Sequence, residues 1–159
     1  MKLGDLVKDK ISGYEGVAIA HITYMHNSDR WGLRSRELHE GKPVESVFFD
    51  EVQLEVTQED FMEVVPCEEP LFNFGDEIKD TLTDFKGTVT AIAFWTTGCI
   101  RIGVQAKPLH DGAPVDEIFA PQGQLKLVKA AKIIKVKKVK EVKKPGGPMK
   151  NPGYIKDPK

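Results

Sequence analysis

Residues 4 to 54 occur again at 75 to 125, in one register and without a gap. Gly4-Asp5 returns as Gly75-Asp76, Lys8-Asp9 as Lys79-Asp80, Gly16 as Gly87 and Ala20 as Ala91. Arg30, Gly32 and Phe48 return as Arg101, Gly103 and Phe119. The run Leu38-His39-x-Gly41-x-Pro43-Val44 returns as Leu109-His110-x-Gly112-x-Pro114-Val115. In all, 16 of 51 aligned positions are identical, where unrelated segments would share about three. The offset of 71 residues is too long for a thin solenoid unit and has the size of a complete small domain. One small fold has been duplicated, so any function must accommodate two copies.

The expected organisation is a first repeat at 1–57, an acidic linker at 58–70, a second repeat at 71–128 and a basic arm at 129–159. Units of this size have marginal cores, so the two are expected to pack on each other or to oligomerise. The net charge of −1 conceals an asymmetry. Residues 129–159 carry 11 Lys against Glu141 and Asp157, a net of +9; residues 1–128 carry 12 basic and 22 acidic side chains, a net of −10. Such an arm lies on its own body, reaches a neighbouring copy, or binds a separate polyanion. No stretch is long and apolar enough to span a membrane, and no signal-peptide core follows Met1. Cys67 and Cys99 are not repeat equivalents, which reads as free thiols rather than a disulfide framework and fits a reducing compartment.

Each repeat reads as about five short strands. Val17 to Tyr24 and Thr88 to Trp95 are β-branched and Ala-rich. In the next strand Trp31, Leu33 and Ser35 alternate with Arg30, Gly32, Arg34 and Arg36; its copy sets Ile102, Val104 and Ala106 against Arg101, Gly103, Gln105 and Lys107. Period-two alternation gives one apolar and one basic face. Tyr14 and Phe85 are placed to cap the ends of the units. Gln58 to Val65 has the composition of a helical turn. Beyond Lys129, Ile133, Val136, Val139 and Val142 recur among lysines, leaving an extended arm and a basic helix as equal candidates. The fold class is therefore mainly β: two tandem small barrels with an irregular basic arm.

The opening Gly-Asp-x-Val-Lys-Asp, followed by a Ser or Thr and a Gly, resembles the start of KOW and other SH3-like small barrels, over about 15 residues per repeat. The order of Lys-Asp, the Arg/Gly strand, the Gly-x-Pro loop and the closing Phe and Gln-Leu resembles small uncharacterised proteins of tailed phages, as do Gly146-Gly147-Pro148-Met149 and Asn151-Pro152-Gly153. Those proteins are mostly single-copy, whereas this chain carries two. In the second copy Pro121-Gln122-Gly123 replaces Asp50-Glu51-Val52. The resemblance implies a phage or prophage origin and a place in the virion or the host cytoplasm, without an activity.

Three pairs of repeated side chains are candidate binding residues. Arg30 and Arg101 are either anion receptors or partners of Glu45 and Asp116 on the neighbouring strand. Tyr24 and Trp95 either stack on a base or pack at the unit's rim. His39 and His110 either serve as loop-tip ligands or belong to a hairpin in which Gly41 and Gly112 take positive φ. The arm adds Lys135, Lys137, Lys138, Lys140, Lys143 and Lys144 as a polyanion contact. No nucleophile elbow, phosphate loop or metalloprotease helix occurs, and no second His or Cys stands at metal-ligand spacing. The expectation is a non-enzymatic binding or structural protein without cofactor or metal. Its partner would be a capsid or host protein surface, or a second copy of itself. The alternative is a nucleic-acid or nucleotide binder working through the arginine strand and the arm, including a phage protein that sequesters a host nucleotide signal in the groove between the barrels through Arg30, Arg101, Tyr24 and Trp95.

Overall fold

The structure, a computed structural model, describes residues 1–107 and 109–132. It is mainly β, all strand pairs within its sheets are antiparallel, and the elements follow the offset of 71. The first repeat forms β1 (Leu6–Asp9), β2 (Glu15–Tyr24), β3 (Arg30–Arg34), β4 (Leu38–His39), β5 (Lys42–Pro43), β6 (Val47–Asp50) and β7 (Leu54–Gln58). The second forms β8 (Glu77–Asp80), β9 (Lys86–Trp95), β10 (Ile100–Gln105), β11 (Leu109–His110), β12 (Ala113–Pro114), β13 (Ile118–Pro121) and β14 (Leu125–Lys129). A single 3-10 turn precedes the last strand of each, at Glu51–Gln53 and Gln122–Gln124.

Within each repeat the last strand returns to pair with the first. The order is β7-β1-β2-β3-β6 in one half and β14-β8-β9-β10-β13 in the other. Among the described residues neither ladder closes, since β6 pairs with β3 alone and β7 with β1 alone. Of the expected tandem of two small barrels the mainly β character holds, but the strands of both repeats join in one continuous ten-stranded sheet. The physical reason is the length of β2 and β9, ten residues each. Their N-terminal parts pair with β1 and β8, and their C-terminal parts overhang and pair with each other.

The register of that junction is informative. Ile22 lies opposite Ala93, its own counterpart in the other repeat; Ala20 lies opposite Trp95 and Tyr24 opposite Ala91. Antiparallel pairing of equivalent residues relates the halves by a local two-fold at Ile22 and Ala93. The shared face holds a small core of Ile22, Ala91 and Ala93, flanked by Tyr24, Phe48 and Trp95.

Each half also keeps its own interior. Val7, Ala18, Trp31, Leu33 and Leu54 form the first, and their counterparts Ile78, Val89, Ile102, Val104 and Leu125 lie in the second. The second has smaller residues where the first has Trp31 and Phe49, and Phe72 fills the difference. His21 stacks on Trp31, ring centroids 4.0 Å apart, whereas Ile92 and Ile102 occupy these positions in the copy. Tyr14 packs on the first core and Phe85 on the second, as expected of end caps. Gly16 is repeated as Gly87 because a Cβ at Gly16 would sit 2.8 Å from the Arg34 carbonyl oxygen.

Two pairs of buried aspartates fasten the turns. The Asp5 carboxylate accepts from the Lys2 and Asp60 amides at 2.8 and 3.0 Å. Asp76 accepts from the equivalent amides of Asn73 and Ala131 at 2.8 and 2.7 Å. Each ties the entry of its repeat to the chain leaving the last strand. Asp9 accepts from Ser12, and Asp80 from Leu82, Thr83 and Gln124. The segment after β7 makes no helical turn. Asp60 has φ of 50°, the Met62 amide donates to the Gly4 carbonyl, and the Val65 amide donates to that of Thr96. The linker is thus held by both repeats, through Gly4 of the first and Thr96 of the second.

Candidate functional site

The local two-fold generates two clefts, each built from both repeats. The first has a volume of about 400 Å³ and is lined by Val17, Ile19, Arg34, Ser35, Arg36, Phe61, Met62, Trp95, Thr96 and Thr97. The second is about 200 Å³ and is lined by Tyr24, Met25, His26, Asn27, Thr90, Gln105 and Glu117. Five of these seven residues are repeat equivalents of residues in the first: Tyr24 for Trp95, Met25 for Thr96, His26 for Thr97, Thr90 for Ile19 and Gln105 for Arg34.

A β-bulge aims the central side chain of each cleft. Ala18 pairs with Leu33 and Ala20 with Gly32, leaving Ile19 as the extra residue of β2. Val89 pairs with Val104 and Ala91 with Gly103, leaving Thr90 as the extra residue of β9. A bulged residue escapes strict inward–outward alternation, and here the same bulge delivers Ile19 to one cleft and Thr90 to the other. Around Ile19 the surroundings are apolar and basic. Val17 and Ile19 are buried, Phe61 and Trp95 pack against them, and the Arg36 guanidinium lies 5.0 Å from the Phe61 ring centroid. Around Thr90 they are polar and acidic, since its hydroxyl donates to Glu117. Burial, and next the Glu117 charge, push the Tyr24 phenol above its ordinary range.

Arg30 and Arg101, equivalent in sequence, have different partners. Arg30 lies opposite Asp50 and pairs with it at 3.3 Å, and its Nη2 also donates to the Phe48 carbonyl at 3.1 Å. The expected partner, Glu45, is not the one used, because Asp50 is the directly opposed cross-strand residue. Arg101 lies opposite Pro121, which offers no charge, and makes no ion pair with Asp116 or any other acid among the described residues. Its guanidinium lies 5.6 Å from the Trp95 ring centroid, within cation–π range. Trp95 Nε1 is buried without an acceptor.

Tyr24 and Arg30 share a further opening with Asn27, Ser28 and Asp50. The structure thus brings Tyr24 to Arg30 and Trp95 to Arg101, one aromatic–arginine couple at each end of the junction. His39 and His110 line none of these clefts. They stand on two protruding hairpins, β4–β5 and β11–β12. Glu40 and Gly41 have φ of 53° and 76°, and Asp111 and Gly112 have 51° and 79°, the positive pair a two-residue hairpin turn requires. His110 Nδ1 lies 3.2 Å from the Asp111 carboxylate. Lys135, Lys137, Lys138, Lys140, Lys143 and Lys144 lie outside the described residues.

Sequence reasoning placed Arg34 and Arg36 on the basic face but did not assign them to a site, and it missed Ile19 and Phe61. The one signal for Phe61 is that it is the sole aromatic in an otherwise acidic linker. Among the described residues, no three His, Cys, Asp or Glu side chains gather to hold a metal. Likewise, no helix there is long and apolar enough to cross a membrane. Both cysteines are free, and the Cys67 thiol donates to the Trp95 carbonyl at 3.4 Å. The chain matches no family model, no curated protein and no solved structure.

Proposed function

We propose that this is a non-enzymatic binding protein that grips a two-fold-repeated protein surface with its pair of hairpin arms. The observation that carries this reading is what the duplication retained there. From Leu38 to Val44 five of seven residues are identical in the copy, against 16 of 51 across the repeat. Buried identities are explained by packing, but these are not buried. Gly41 and Gly112 are accounted for by their positive φ, but Leu38 and Leu109 are 65% and 63% exposed. An exposed leucine beside a histidine and a proline, kept twice on two-residue turns, has the character of a docking contact. Two arms carried by one continuous sheet raise the effective concentration of the second contact once the first is made.

The return of each last strand to the first, with a 3-10 turn before it, supports reading each half as an SH3-like small barrel left open between β6 and β7, and between β13 and β14. Taken with the resemblance to tailed-phage proteins, the setting we propose is a virion accessory role on capsid or head, where symmetric surfaces abound. The test is quantitative mass spectrometry of purified phage particles carrying the wild-type chain or the Leu38→Asp, Leu109→Asp double variant. Wild-type protein is expected at a fixed ratio to the major capsid protein. The double variant should keep its melting temperature and be lost from particles. Wild-type protein absent from particles removes the virion role, and undiminished incorporation of the double variant removes the hairpins as its basis.

A further inference from the structure

The cleft beside Trp95 is separate from the hairpin arms, and its chemistry calls for a different kind of ligand. We propose that it binds a planar aromatic anion of the chemistry of a purine nucleoside monophosphate, held between Trp95, Phe61 and the guanidinium groups of Arg34 and Arg36.

The floor is apolar, with Ile19 and Val17 only 7% and 6% exposed, and Phe61 and Trp95 pack against them. Aromatic walls over an apolar floor suit a flat ring. The rim is cationic. Arg34 meets no carboxylate among the described residues, its Nε donating instead to the Ser46 hydroxyl at 3.3 Å. Arg36 reaches Glu15 only at 3.9 Å and otherwise lies over Phe61. In a body with 22 acidic and 12 basic side chains, two weakly neutralised arginines beside an apolar cleft stand out. A guanidinium fork matches the oxygens of a phosphate better than any other side chain does. The volume of about 400 Å³ lies within the range of small-molecule sites.

The second cleft supplies an internal comparison. It has the same bulge and the same junction, yet Thr90, Gln105 and Tyr24 stand where the first has Ile19, Arg34 and Trp95. The fold therefore does not require those three residues at these positions. Glu117, where the first repeat has Ser46, sets a negative charge in the second cleft and makes it hostile to an anion. One ligand per chain follows. The chain's own lysine arm is excluded as occupant of the first cleft by like charge, and the acidic body disfavours a long polyanion over a small one.

The test is isothermal titration calorimetry of the full chain, with tryptophan fluorescence followed in parallel. The probes are adenosine monophosphate, guanosine monophosphate, adenosine, inorganic phosphate and an oligodeoxyadenosine. At least one monophosphate is expected to bind with one site per chain and to quench Trp95. Adenosine and phosphate alone should bind about tenfold or more weakly. Arg34→Gln and Ile19→Thr, which install the residues of the twin cleft, should each weaken binding by about tenfold, while Gln105→Ala should leave it unchanged. Absence of heat and quenching with both monophosphates overturns the proposal. So does binding insensitive to Arg34→Gln and Ile19→Thr in chains that melt like the wild type, or an oligodeoxyadenosine that binds more tightly than the monophosphates. Particle association of the hairpin variant does not depend on any of these outcomes.

Discussion

Ile22 and Ala93 occupy the same position in the two repeats and face each other across the junction of β2 and β9. The halves therefore share a ladder and a small core as well as a linker. Folding is expected to be a single cooperative event. Ile102→Ala, at a fully buried side chain of the second core, should destabilise the chain by about 2–5 kcal/mol. It should also reduce hydrogen-exchange protection of amides in β1 and β3, in the other half. Protection retained there would mean that the halves unfold independently.

Asp76 holds the amides of Asn73 and Ala131 while itself only 3% exposed. Asp76→Ala leaves both amides without that acceptor. Hydrogen bonds to a charged group contribute roughly 1.5–3 kcal/mol each, and water can reach part of these two, so a loss of about 1.5–3 kcal/mol is expected in urea unfolding. Asp5→Ala should behave alike in the first repeat. A change below about 0.5 kcal/mol in either would show that the clamp is dispensable.

Acid should act through the other aspartate pair. Hydrogen bonds from the Ser12 hydroxyl and amide hold the Asp9 carboxyl below its ordinary value of 3.8, and those from Thr83, Gln124 and Leu82 do the same for Asp80. A folded-state value below the unfolded one means that the unfolded chain takes up protons first as pH falls. The stabilisation is fully present above the unfolded value and is lost as pH drops through the folded one. The melting temperature should therefore hold near neutral pH and fall below about pH 4. Asp80→Asn should flatten that fall, and an unchanged slope would place the acid sensitivity elsewhere.

Arg101 lies over Trp95 where the strand opposite offers Pro121 instead of an acid. Pro121→Asp recreates the opposition seen between Arg30 and Asp50. It should draw the guanidinium away and shift the Trp95 indole signals in a proton–nitrogen correlation spectrum. An exposed pair of this kind contributes at most about 1 kcal/mol, so stability should hardly move. Unshifted Trp95 signals would show that Arg101 stays on the ring.

Much of this architecture was legible in the chain. The offset of 71 residues predicted matching elements, and the alternation through Trp31 and Leu33 predicted which side chains of β3 are buried. The turn at Gly41 was legible because a two-residue hairpin demands positive φ. What escaped was long-range. The aromatic and β-branched run ending at Tyr24 marked a strand but not its partner, and the strand that meets it lies in the other repeat. Ile19 sits in a bulge, which alternation alone cannot locate. Phe61 reaches its cleft from the linker, where no period connects it to Arg34.

The ten-residue length of β2 and β9 has a further consequence. A solitary repeat would end in an uncovered strand segment whose best complement is an identical molecule, so its assembly would depend on how much of it was present. Joining two in tandem makes that union obligatory at any dilution. It also frees the two sides to diverge, so that one could keep its arginine and the other acquire a glutamate.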